Sequence, residues 1–135
     1  MPSVVDSVPE SHRDLLERPL AAIFTTVDDE CRPQSTAVWF PVDADGLLKC
    51  STTADRQKFK NLRRNPNCVL FVIDPDNSFR TLEVRAEAEL APDPEEATVR
   101  KLARVYGVAE ELLVNAGGER YNVVLHARRV VALPR

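Results

Sequence analysis

Histidine and cysteine are scarce in this chain. It has two histidines, His12 and His126, and three cysteines, Cys31, Cys50 and Cys68. The histidines lie far apart, with no second ligand at metal-site spacing. The cysteines are odd in number, widely spaced, and form no Cys-x-x-Cys pair. No metal is therefore assigned. Free thiols fit a reducing compartment, so the expected location is cytoplasmic. Two histidines cannot be trusted to build a Ser-His-Asp arrangement, and no catalytic acid, base or nucleophile stands out as a motif. The catalytic residue is left unknown. Long apolar runs are also missing. The longest, residues 68–73, has the length of a strand and falls far short of the roughly 20 residues of a spanning helix. The opening MPSVVDSVPESHRD has no basic stretch followed by an apolar core, so neither a membrane partner nor a secretory signal is expected. Net charge is -3 and aromatics make up 6% of residues. Both argue against a nucleic-acid binder, which needs a positive face and stacking rings.

What is present is a globular composition, 44% hydrophobic and 29% charged over 135 residues. That size suits a single domain spanning residues 1–135. Ser7-Val-Pro-Glu10 reads as a capping box opening an N-terminal helix over about 9–17, which Pro19 closes. Residues 20–27 read as a buried strand, 28–33 as a turn and 34–42 as a second strand. Asp45-Gly46 is expected to turn that strand into a third, 47–52. A basic helix over 55–64 stops before Asn65-Pro66. Its Phe59 and Leu62 face the core, and Lys58 borders that stripe, so it is expected to lie along the protein body. Residues 67–73 form a fourth strand, ended by the turn 74–77. The clearest alternation follows: Leu82, Val84, Ala86, Ala88 and Leu90 on one face, Thr81, Glu83, Arg85, Glu87 and Glu89 on the other. This is a strand buried on one side. Asp93-Pro94 starts a helix running to Tyr106. A weaker helix over 108–114 is broken at 115–118, and 121–133 is the last strand. The fold class is mainly β with short helices. Six antiparallel strands close most readily into a small barrel, because closure removes exposed edges. Side chains fill such a barrel, so a sizeable ligand must bind outside it, against the helices or a second subunit.

The stretch CSTTADRQKFKNLRRNP, residues 50–66, concentrates the chemistry. Hydroxyls at a strand end, Ser51, Thr52 and Thr53, lead into a helix carrying Arg56, Lys58, Lys60, Arg63 and Arg64. Unpaired amides at a helix start and its dipole favour an anion. Arg56 and Lys58 would add charge-assisted hydrogen bonds to a phosphate. The alternative is a solvated basic helix face.

Three segments, RPQSTAVWF (32–40), STTADRQKFKNLRRNP (51–66) and VIDPDNSFRTLEVRAEAEL (72–90), resemble the pyridoxamine 5'-phosphate oxidase-like split β-barrel superfamily. Within it they resemble the actinobacterial flavin/deazaflavin oxidoreductases that use coenzyme F420. The likeness covers residues 15–133 in order. It implies a six-stranded antiparallel split β-barrel, FMN-binding-protein-like, working as a homodimer with two cofactor sites at the subunit interface. It implies a phosphate grip by Ser51, Arg56 and Lys58, with Thr52 and Asn61 adjacent. Gln34 and the Val38-Trp39-Phe40 segment would lie along the ring system. A lone Trp in a strand, such as Trp39, is more often a core or interface residue than a ring contact. Relatives with this barrel use FMN, haem or F420, so F420 is the expected cofactor and FMN the alternative. Phe79 and Arg80, in the turn after the fourth strand, are further candidates for ring contact. The reaction implied is hydride transfer to a small organic acceptor. A non-catalytic carrier of F420 or flavin is the rival reading.

Overall fold

The alternating stretch 81–90 lies inside the longest strand of the protein. The structure, a computed structural model, describes residues 4–41, 46–115 and 117–135. Its strands are β1 (Ala22–Val27), β2 (Pro33–Val38), β3 (Leu48–Thr53), β4 (Asn67–Asp74), β5 (Asn77–Pro92) and β6 (Arg120–Leu133). Its α-helices are α1 (Val4–Ser7), α2 (Asp14–Glu17), α3 (Gln57–Arg64) and α4 (Ala97–Tyr106). The strands make one sheet in the order β2-β1-β4-β5-β6-β3. Every pairing is antiparallel. The sheet curls into a half-barrel that wraps its apolar face around one core. Phe24, Leu48, Leu70, Val72, Leu82, Val84, Val123 and Leu125 are almost fully buried there. Burial of such side chains contributes about 1.5–3 kcal/mol each. This is the mainly β split barrel read from the sequence.

The Asp74–Asn77 turn joins β4 to β5 as expected. The expected pairing of the second strand with the third does not occur. β2 pairs with β1, and β3 pairs with β6, so the two strands stand at opposite margins of the sheet. Residue 45 of the expected Asp45-Gly46 turn, and residue 42 of the expected strand, lie outside the described residues. A turn signal is local, whereas pairing follows the apolar partners available. β6 offers β3 the buried cross-strand pairs Leu48–Leu125 and Cys50–Val123. Such pairs are the unit of sheet stability. Among the described residues the margins stay unpaired, so the barrel is split rather than closed.

The N-terminal helix is also different. Ser7 lies inside α1 rather than capping a helix, and a 3-10 turn at Glu10–His12 precedes α2. Pro9 sits outside both, at ψ 142, which interrupts a continuous helix. The start expected at Asp93 is a cap: its carboxylate accepts from Ala97 and Thr98, each at 3.1 Å, and α4 begins after it. The weaker helix shrinks to a 3-10 turn at Glu110–Leu112.

The segment around α2 is clamped to the β4–β5 turn. Arg80 pairs with Asp74 at 2.9 Å, with Asp14, and with the Ser11 carbonyl. Arg18 reaches Asp74 at 3.4 Å and Asp76 at 3.1 Å. On the opposite side of the sheet from the core, Ile23 and Phe71 are cross-strand neighbours, and Ile23 and Ile73 are 42% and 44% exposed. Val38, Phe40, Val123 and Leu125 face inward.

Candidate functional site

A cavity of about 270 Å³ opens at the split, between the β2 and β3 margins. The end of β2 and its continuation supply Ala37, Val38 and Trp39. The end of β3 supplies Ser51 and Thr52, and the start of α3 supplies Arg56 and Lys58. Val99 and Leu102 of α4, Leu112 and Leu113 after it, and Arg120 complete the lining. One side is therefore polar and basic, and the other is apolar.

The order of residues in 51–58 explains the polar side. In a strand, successive side chains alternate. Cys50 and Thr52 turn inward and are 1% and 2% exposed. Thr52 Oγ1 is buried and has no hydrogen-bond partner among the described residues, an orphan of the kind that a native structure usually satisfies. Arg56 then stands at the N-cap of α3 in extended geometry, and no side chain caps that helix end. Lys58, one position into the first turn, is 8% exposed. It forms no salt bridge or hydrogen bond among the described residues. Burial pushes its ammonium below the usual 10.5, and the nearby Arg56 guanidinium adds to this. Cys50 is no counter-ion, because burial pushes its thiol up to about 12 and leaves it neutral. A buried cation, an unsatisfied hydroxyl and an uncapped helix start meet at one place. This donor set fits an anionic group of phosphate type.

Of the residues singled out in the sequence, Val38, Trp39, Ser51, Thr52, Arg56 and Lys58 line this cavity. Gln34 and Asn61 do not. They belong to a hydrogen-bond chain behind it: Gln57 donates to Asn61 (2.8 Å), Asn61 to Thr26 (3.0 Å), and Thr26 to Gln34 (3.3 Å). That chain ties α3 to β1 and β2 and so fixes where Arg56 and Lys58 stand. Phe40 is 2% exposed in the core, buried like Val38 two residues before it, while Trp39 between them lines the cavity. Arg80 is held in the ion cluster with Asp14 and Asp74, away from the cavity, whereas Phe79 is 84% exposed. Trp39 stacks on Tyr106 with ring centroids 4.5 Å apart, so it is both a packing residue and part of the cavity wall.

Sequence reasoning missed the wall from α4 and the residues after it, and it missed Arg120. Arg120 donates to Ser51 Oγ at 3.3 Å from 69 positions away. No local pattern signals such a contact. The spacing of Val99 and Leu102, three apart, is the signal that could have marked one face of α4 as apolar.

Comparison with known proteins agrees with this architecture. The family model described as pyridoxamine 5'-phosphate oxidase matches residues 8–133. Among curated proteins, none matches the chain in sequence. A solved structure named F420 Reductase is similar, with 37% identity and a TM-score of 0.84, over 92% of this chain and 98% of that one. A conserved hypothetical protein from Mycobacterium tuberculosis has a TM-score of 0.76 at 24% identity, over 98% and 89% of the two chains. General Stress Protein 26 from Bacillus anthracis has a TM-score of 0.68 at 17% identity, over 91% of each chain. The last two likenesses speak to the fold alone. Among the described residues, no helix is long and apolar enough to cross a membrane. With the family match spanning nearly its whole length and a split barrel to go with it, the chain belongs to the pyridoxamine 5'-phosphate oxidase family.

Proposed function

We propose that this chain is an oxidoreductase that holds a phosphate-bearing flavin-type cofactor, F420 in first place, and works as a homodimer in the cytosol. The observation that carries the reading is Lys58, a nearly buried cation without an acidic partner among the described residues, set beside the orphaned Thr52 hydroxyl. An anionic oxygen would accept from both. Bound there, the cofactor would supply hydride transfer to a small organic acceptor with a C=C or C=N bond.

The chain's own residues bind, orient and exclude water. Lys58 acts as a point charge and Arg56 as a planar two-point donor at the mouth. Ser51 and Thr52 offer hydroxyls to the remaining phosphate oxygens. Val38, Trp39, Val99, Leu102 and Leu113 give a flat ring an apolar wall. F420 is preferred to FMN on the likeness to the F420 reductase and on the basic face of α3 beyond the cavity. Lys60 there is exposed, near the Asp55 carboxylate, where it would meet an acidic polyglutamyl tail. Arg64 pairs with Asp29 at 2.8 Å, and Arg63 lies over the Phe59 ring.

Pairing of two copies is supported by size and by surface. A cavity of 270 Å³ falls below the roughly 300–1,000 Å³ of complete ligand sites. The outward Ile23, Phe71 and Ile73 form the apolar patch that a second copy would cover.

The test is a fluorescence titration with F420, FMN and FAD. Tightest binding of F420 is expected. Equal or tighter binding of FMN overturns the preference, and binding of none overturns the site. Oxidation of bound reduced cofactor by an added acceptor separates an enzyme from a carrier.

A further inference from the structure

Arg120 opens β6 opposite Thr53, and its side chain is 9% exposed. Its guanidinium reaches in three directions. One nitrogen donates to Ser51 Oγ at 3.3 Å, on the floor of the cavity. Another donates to the carbonyl of Leu113 at 3.0 Å, on the wall. The third side faces Glu96, whose carboxylate is 3.3 Å away and 13% exposed. That carboxylate also accepts from the Asn115 amide at 3.1 Å. Glu96 holds this place with a left-handed backbone, φ 58, a conformation that L-residues avoid. One ion pair thus ties the floor of the cavity to the flap 109–115.

We propose that Arg120 and Glu96 are positioning residues of the anion site: Arg120 makes Ser51 a hydrogen-bond donor towards the bound anion and holds the Leu112–Leu113 flap against the cavity. The inference rests on the anion site described above. The argument is one of donor bookkeeping. A serine hydroxyl has one proton to give and two lone pairs. A phosphate oxygen without a proton only accepts, so Ser51 is useful there only as a donor. Arg120 can only donate, so its contact occupies a lone pair of Ser51 and leaves the hydroxyl proton to point elsewhere. Glu96 neutralises the guanidinium, so Arg120 adds geometry to the site rather than net charge. The same guanidinium fixes the Leu113 carbonyl, and Glu96 fixes the Asn115 amide two residues on. Anion binding and flap position are thereby coupled through one residue pair.

The experiment is a double-mutant cycle read by F420 and FMN titration, using Ser51→Ala, Arg120→Met, Arg120→Lys and Glu96→Gln in the full chain. Arg120→Met is expected to weaken cofactor binding about tenfold in the wild-type background. In the Ser51→Ala background it should weaken binding less than about twofold, because its effect runs through Ser51. Arg120→Lys should not rescue, since an ammonium cannot span the three partners. Losses that multiply in the double variant would make Arg120 a direct ligand and overturn the proposal, as would wild-type affinity in Arg120→Met. Glu96→Gln, nearly the same shape, covers the case in which Arg120→Met fails to fold. Hydrogen exchange without ligand supplies a separate readout. Leu112, Leu113 and Val114 amides, bonded within the flap, should lose protection in Glu96→Gln and Arg120→Met. Unchanged protection overturns the flap coupling. If no cofactor binds to the wild type, the anion-site reading fails, and the exchange result still decides the flap.

Discussion

Trp39 and Tyr106 stack with centroids 4.5 Å apart and planes 12° from parallel, and the phenol of Tyr106 closes the loop around them. It donates to the Leu20 carbonyl at 2.7 Å and accepts from the Phe40 amide at 3.2 Å. A helix residue thus fixes the chain where it leaves β2. Tyr106→Phe keeps the stack and strands both backbone groups. A loss of about 1–3 kcal/mol is expected in urea unfolding. Trp39 is the single tryptophan, so quenching of its emission by bound cofactor should survive in this variant. Unchanged stability would mean that water takes over the phenol's bonds.

Arg56→Ala and Lys58→Met should each weaken cofactor binding by about 1.5–3 kcal/mol, roughly 10- to 150-fold. Their effects on stability should differ. Arg56 is exposed, so its loss should fall within about 0.5 kcal/mol. Lys58 is a buried charge with no partner among the described residues, so Met in its place should raise the melting temperature of the ligand-free protein. Arg104→Ala, on the exposed side of α4, should change neither. Equal affinities in all four proteins would refute the phosphate grip.

Lys58 also sets a pH dependence. Its ammonium lies below the ordinary 10.5 in the folded chain. Between the folded value and 10.5 the unfolded chain binds more protons, so stability from this group rises with pH across that window. Below the folded value, the burial penalty is present in full. An anion beside Lys58 favours the charged form, so cofactor binding should take up protons as pH rises through the lowered folded value. Affinity should fall as pH rises there. Calorimetry in buffers of different ionisation heat measures the uptake, and Lys58→Met should abolish it. Proton release on binding would contradict the assignment.

Asp74 gives the opposite limb. The Asp76 amide, then Arg80, hold its carboxyl below the usual 3.8. Stability from a lowered carboxylate is present above 3.8 and is lost as pH falls through the folded value. Asp74→Asn should therefore lower stability near neutrality and flatten its decline in acid. Urea midpoints at about pH 7 and about pH 3 test this. A parallel decline in both proteins would remove Asp74 from the acid response.

Ile23→Lys places a charge in the outward patch and leaves the core untouched. Light scattering should show wild type at twice the 15.1 kDa chain mass and the variant at or near one chain. A wild-type monomer at micromolar concentration would refute the dimer.

Much of this architecture was legible because it is local. The alternation from Leu82 to Leu90 fixes a one-sided strand, and the hydroxyl-to-basic step from Ser51 to Lys58 marks the cavity's polar side. The reading failed where long-range competition decides. Asp45-Gly46 signals a turn but not which strand β3 will pair with, and β6 wins through Leu125 and Val123. Phe40 looked like a neighbour of Trp39 on one strand. It is buried in the core with Val38, so Trp39 reaches the cavity and Phe40 does not. Arg120 was invisible because its partners, Ser51, Glu96 and Leu113, lie in three separate segments.

Among the described residues, the split between β2 and β3 leaves two strand margins bare, and each carries a mild deterrent: Pro33 opens one, and Lys49 stands on the other. A bare margin is a template for another strand. On the proposed reading, the ligand sits across both. A cell short of cofactor would then meet the consequence first as self-association of intact molecules, before any core melts. Ligand supply would govern how much of this protein stays dispersed.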